Sequence, residues 1–348
     1  MKEALARWRC PWENGGRSRD VSAFARFGEH GWGAHRSILF HCWRHEPKGR
    51  ARKIFTSIVE RGLLLTTTNG GALDKFSIRD GENELRQIEV MQNARICFTD
   101  IPRELLASHG AGYGRYAVGF SRQTVVEWGG CPAWYLPNHH GGETLKDAGP
   151  TLLNGLHAAM VALDSFHAAI KTTEDAFHAG QMAQHFFTQQ FTHGKTLVGD
   201  DLLRWVQHGR NCVSRMLSFV KEMSPPDVED FRYLYEREWR IVDGIQILGK
   251  NPCRLLTDAE EADLCAMNPN WKNPPMVSDI NIQARYSSMP LIDSFRIFEG
   301  TSETERISHK IEMVLVPEEF EKRFVEDMVS REPASFRIGG PEILLFPT

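Results

Sequence analysis

The segment YEREWRIV, Tyr235 to Val242, sets two carboxylates two residues apart, Glu236 and Glu238, with Arg240 following at the same interval. A strand alternates its side chains between two faces, so an extended reading puts Glu236, Glu238 and Arg240 on one side and Tyr235, Arg237 and Trp239 on the other. Two like charges on one face cost energy unless a cation or a shifted pKa compensates them. Enzymes use such a pair to raise one carboxyl's pKa, or to face a cation that develops in the transition state, as the oxocarbenium-like sugar does in glycosyl transfer. The structural alternative is a solvent-facing strand whose glutamates pair with Arg237 or Arg240.

Other constellations are weaker. Glu174, His178 and His185 fall at one- and two-turn intervals, but a chain with 14 histidines produces such spacings by chance, and no metal site is expected. Cys97 with His109 could form a nucleophile and base, yet its place inside an apolar run reads as a buried, inert thiol. GAGYG at Gly110 to Gly114 lacks the Lys-Ser/Thr of a phosphate loop and does not join a strand to a helix as such a loop must.

The elements that must position these groups can be read from periodicity. Residues 1–35, rich in Gly, Arg and Trp, read as an irregular leader. SILFHC (37–42) predicts a buried strand, and 48–65 a helix closed by Gly62. Strands follow at ARICFT (94–99), YAVGF (116–120) and CPAWYL (131–136), each bounded by Gly or Pro. Residues 150–223 carry apolar positions at helical spacing. Then 232–248 predicts a hairpin turning at Asp243-Gly244, residues 251–281 read as loop, and the chain closes with strand (311–316), helix (317–328) and strand (343–346). The expected fold is α+β: a mixed sheet core built from 36–145 and 226–348, with a helical block, 146–225, inserted between them.

A formal charge of −4 gives no general attraction to nucleic acid or anionic lipid. The aromatics of 96–101 and 120–134 lack an accompanying basic run, so they are expected in the core. Seven scattered cysteines without CxxC spacing argue against a disulfide framework or a thiolate zinc site, and neither a long apolar stretch nor a signal-like start is evident. A cytoplasmic location with no membrane partner is the expectation.

Three segments taken together resemble the AbiGi family of phage abortive-infection proteins: CFTDIP (97–102) followed by YGRYAVGFSR (113–122), GGCPAWYL (129–136) and YEREWRIV (235–242). IEMVLVPEEFEKRFVEDM (311–328) is similar to the family's ending. The resemblance implies phage defence, either as the antitoxin of a two-gene module or as an effector, with a cognate toxin, an antitoxin or a phage protein as partner. The opening strand, helix and GL turn, together with the late Glu-x-Glu, are also similar to the His-Tyr-Glu class of ADP-ribosyltransferases. That likeness implies NAD as substrate and an unidentified protein, RNA, DNA or water as acceptor. It implies catalysis by Glu238 with Glu236, and a ribose contact from His41. Phe98 and Thr99 would line the nicotinamide pocket, Tyr113 or Tyr116 would stack on nicotinamide, and Arg240 would join the cofactor-binding set. CFTD is only a loose substitute for the Ser-Thr-Ser motif of such enzymes. On this reading Glu238→Gln, an isosteric change, removes activity and leaves the fold intact.

Overall fold

The computed structural model describes residues 38–44, 49–67, 73–79, 85–103, 106–137, 148–178, 199–223, 237–247, 249–277, 289–302 and 306–347. The expected leader, Glu236 and His185 lie outside them. The organising element is a seven-stranded sheet in the order β14-β13-β6-β1-β5-β10-β7. Its strands are β1 (Ile38–Trp43), β5 (Arg95–Thr99), β6 (Tyr116–Ser121), β7 (Cys131–Pro132), β10 (Glu238–Val242), β13 (Ile311–Val316) and β14 (Glu342–Leu345). The pairings are antiparallel except β13 with β14. Strands from both sides of the helical stretch therefore share one sheet.

Alternation along these strands makes two apolar faces. Leu39, Ile96, Phe98, Val118, Phe120 and Ile241 lie on one, packed against α1 (Arg50–Arg61) and α7 (Glu319–Arg331) through Phe55, Ile58, Val59 and Val325. Phe40, Ala117, Met313 and Leu315 lie on the other, with Leu106 of α2 (Leu106–Tyr113) and Phe346. Burying side chains of this size stabilises by about 1.5–3 kcal/mol each. Gly62 ends α1 at φ 113°. A Cβ there would sit 2.3 Å from the Phe298 carbonyl oxygen, so glycine supplies both the left-handed turn and the close approach of β12 (Arg296–Phe298).

The helical block consists of α4 (Ala148–His178) and α5 (Gly199–Phe219), which pack on each other. They bury Leu153, Leu217 and Val220 against Phe76, Ile78 and Val90 of a hairpin made by β3 (Asp74–Arg79) and β4 (Leu85–Val90). Between β3 and the sheet, β2 (Leu63–Leu65) joins β12 and β11 (Cys253–Arg254) in a second sheet. The remaining elements are α3 (Arg122–Glu127), β8 (Trp134–Pro137), β9 (Val220–Met223) and α6 (Asp258–Met267).

Three expectations need correction. The segment 131–136 is not one strand: it breaks at Ala133, with β7 joining the main sheet and β8 pairing in parallel with β9, and this leaves Trp134 44% exposed rather than in the core. Past Asp243-Gly244 the chain does not return as a hairpin strand; only an isolated bridge, Ile247 with Lys250, follows. The region 251–281 holds the helix α6, started by a capping box in which Thr257 accepts from the Glu260 amide while Glu260 accepts from the Thr257 amide.

Candidate functional site

The main sheet is zipped unevenly. β1 pairs with β6 over six residues and β5 pairs with β10 over five, but β1 meets β5 at one pair only, Phe40 with Thr99. Beyond that pair the two half-sheets part, and a cleft of about 530 Å³ opens along His41, Cys42 and Trp43 on one edge and Ile96, Cys97 and Phe98 on the other. Carbonyl groups on a parted edge lose their ladder partners and need others. Here the His41 ring supplies one, its Nδ1 donating to the Cys97 oxygen at 2.9 Å, a contact that fixes the tautomer because a carbonyl can only accept. Burial lowers the His41 pKa against the opposing effect of that carbonyl, so the imidazole is neutral and its Nε2 remains to contact a ligand.

Glu238 opens β10 directly opposite Thr99. Its amide donates to the Tyr135 hydroxyl at 2.8 Å. Its side chain is 7% exposed and fully engaged: Arg240 Nε donates to Oε1 at 2.7 Å and Lys221 Nζ to Oε2 at 2.5 Å. Burial alone would raise this carboxyl's pKa, yet Arg240 and Lys221 together outweigh it and hold it at about 2. Glu238 is therefore an anion throughout the physiological range. Arg240 also reaches the helical block, its Nη1 donating to the carbonyls of Ser218 at 2.7 Å and Val220 at 2.9 Å. Cys97 lies between the two sites, its carbonyl on His41 and its thiol against the Glu238 carboxylate. Burial and then that negative charge push the thiol up to about 12, which removes Cys97 as a nucleophile.

The expected site is thus brought together in part. His41, Phe98, Thr99, Tyr113, Glu238 and Arg240 all border the cleft. His41 and Glu238, however, do not share a face: register puts His41 with Phe98 and Glu238 with Thr99, and β5 stands between them, which counts against the expectation that the two serve one catalytic site. Phe98 and Thr99, at 2% and 3% exposure, act as wall rather than as contact surface. Tyr113 stands 43% exposed on α2, stacked on His109. Tyr116 is not, because it is fully buried on the opposite side of the sheet, stacked on Trp43 at 5.0 Å. Arg240 belongs to the Glu238 clamp, with Nε on that carboxylate and Nη1 on two main-chain carbonyls. The period-two argument that grouped Glu236 with Glu238 stops at Arg237, which takes φ 42° and so ends the strand at Glu238. Among the described residues no three potential ligands come together to hold a metal.

Two residues of the site stood outside the expected set: Lys221 was not singled out, and His109 was weighed only beside Cys97. Lys221 follows Phe219-Val220 in a segment that read only as helix, and in the structure it is the second residue of β9 and points to Glu238. His109, half-buried, stacks on Tyr113 with ring centroids 4.4 Å apart and 17° between planes. The histidine-tyrosine spacing of four in a helix was the available signal.

Fold and cleft define an α+β protein whose mixed sheet parts into a cleft beside a helical block tied on through a buried ion cluster. The chain belongs to the AbiGi family of abortive phage resistance proteins, described as the antitoxin; the family profile matches residues 75–271, more than half the chain, and takes in β3 to α6 with the Glu238 strand. No curated protein matches the chain, and no solved structure does. Among the described residues no helix is long and apolar enough to cross a membrane.

Proposed function

We propose that this AbiGi chain acts in abortive phage resistance by binding NAD in the parted-sheet cleft and transferring its ADP-ribose to a macromolecular acceptor in the cytoplasm. The observation that carries the reading is the single pairing between β1 and β5. It opens a cleft whose two edges present a neutral imidazole and, one strand further, a permanently ionised carboxylate. On this reading His41 Nε2 bonds a ribose hydroxyl while the Cys97 carbonyl holds the ring through Nδ1. As the bond from C1′ to nicotinamide breaks, positive charge spreads over the ribose, and an ionised Glu238 stabilises it through space without any proton transfer. A ribose hydroxyl must compete with Lys221 for Oε2, so Lys221 sets how readily the carboxylate is released to substrate.

A second reading is favoured by the same carboxylate. Both Glu238 oxygens are engaged, and through Arg240 the cluster clamps the helical block to the sheet, which is what a non-catalytic antitoxin would need to present that block to a cognate toxin. Calorimetric titration of the purified chain with NAD, followed by nicotinamide release in the presence of cell extract, separates the two. Binding and release abolished by His41→Phe support transfer. No binding at millimolar NAD, together with neutralisation of a toxin encoded beside it, supports the antitoxin.

A further inference from the structure

His109 and Tyr113 lie four residues apart on α2 and so project from one face of the helix, and both border the cleft. Their rings stack almost in parallel, which fixes the plane of the imidazole. Among the described residues neither ring nitrogen of His109 makes a hydrogen bond, although the group is half-buried beside Lys221 and Glu238. Burial, then the Lys221 charge, lower its pKa to about 4 against the opposing pull of Glu238. At neutral pH it is therefore an unprotonated base. The cleft thus carries two imidazoles with different commitments: His41 has one nitrogen spent on Cys97 and looks to the Phe98 side of β5, while His109 has both nitrogens open and belongs to the Glu238 side.

We infer, on the basis of the transfer reading above, that His109 is the base that takes the proton of the incoming acceptor. In that step the acceptor oxygen or nitrogen bonds to C1′ and its proton passes to a ring nitrogen of His109. The bond from C1′ to nicotinamide breaks with its electron pair retained by the nicotinamide nitrogen, cancelling the positive charge of the pyridinium.

The test compares the full chain with its His109→Ala and His109→Gln variants. NAD affinity is measured by titration, and nicotinamide release with cell extract as acceptor source, with and without added imidazole. General-base catalysis contributes about 10²–10⁴-fold, so release should fall at least about 100-fold in both variants while NAD affinity stays within about twofold. Added imidazole should restore release in His109→Ala, a rescue that a merely structural role would not allow. Release at the wild-type rate in either variant, or no rescue in a variant that still binds NAD, overturns the assignment. Failure of the wild-type chain itself to bind NAD would instead overturn the transfer reading on which it rests.

Discussion

Replacing Glu238 by glutamine keeps the shape of the side chain, but the structure makes it a costly change. Two cations converge on this carboxylate, Arg240 with a side chain 5% exposed and Lys221 with one 17% exposed. Holding the carboxyl at about 2 instead of the ordinary 4.5 corresponds, at about 1.4 kcal/mol per tenfold change, to about 3 kcal/mol of native-state stabilisation. That agrees with the 3–5 kcal/mol, in round terms, lost when one partner of a buried ion pair is removed. The expectation that Glu238→Gln leaves the fold intact is therefore revised. Urea unfolding at pH 7, followed by tryptophan fluorescence, should show a loss of about 3 kcal/mol. Arg240→Met should cost at least as much, since it also strands the Ser218 and Val220 carbonyls. The double variant should cost less than the sum by about 1.5 kcal/mol or more, because each single change leaves a charge that the other removes. The sign with pH is fixed as well: a depressed carboxyl stabilises above the unfolded value of about 4.5, and that contribution is lost as pH falls toward 2. A Glu238→Gln protein within 0.5 kcal/mol of wild type (roughly the scatter expected of a surface change), or a strictly additive cycle, would refute this account.

Other consequences follow from single residues. Arg237 is the one non-glycine among the described residues with positive φ, and Arg237→Gly should raise stability by about 0.5–1 kcal/mol, a gain read by the same unfolding experiment and contradicted by any loss. Tyr116 buries its hydroxyl without a hydrogen-bond partner, so Tyr116→Phe should change stability by less than about 1 kcal/mol and leave NAD titration unaltered, whereas a weakened titration would return Tyr116 to the site. Because burial, then Lys221, lower the His109 pKa, the unfolded chain takes up a proton between pH 6.5 and about 4 that the folded chain resists. Stability should decline with acid across that window, and a His109→Gln protein should show a shallower decline.

The strands of the main sheet were legible because their burial is two-sided: ILFHC, RICFT, YAVGF and IEMVLV are short apolar runs, and nothing but a covered sheet accommodates them. The hairpin of β3 and β4 was not, because its buried apolar side chains among the described residues are Phe76, Ile78 and Val90, with polar or charged Lys75, Ser77, Gln87 and Glu89 at the alternate positions. That is the ordinary pattern of a one-sided strand, and it was outweighed by the Gly- and Asn-rich flank. The helix α6 carried its own start signal in Thr257 and Glu260, three residues apart, which the surrounding Pro and Asn obscured.

The site divides along the same line. Glu238 and Arg240 could be placed on one face from alternation alone, and the structure adds that this face is covered by α5 and β9 rather than by solvent. Covering reverses the expected chemistry of the pair. A like-charged couple of glutamates would raise one pKa, whereas the charged side chains bonded to Glu238 among the described residues are cations, one from two residues along β10 and one from β9. No local rule foretells Lys221, because its sequence neighbours argue for a helix and its position depends on where α5 ends against the sheet. The parting of β1 from β5 is equally invisible in either strand. It follows from β1 being held over its whole length by β6 and β5 over its whole length by β10, which leaves Phe40 and Thr99 as the one place where the half-sheets meet. Strand pairing beyond that point would have closed the cleft, so the same register that builds the core also leaves His41 beside an open edge, with the Cys97 carbonyl to hold it.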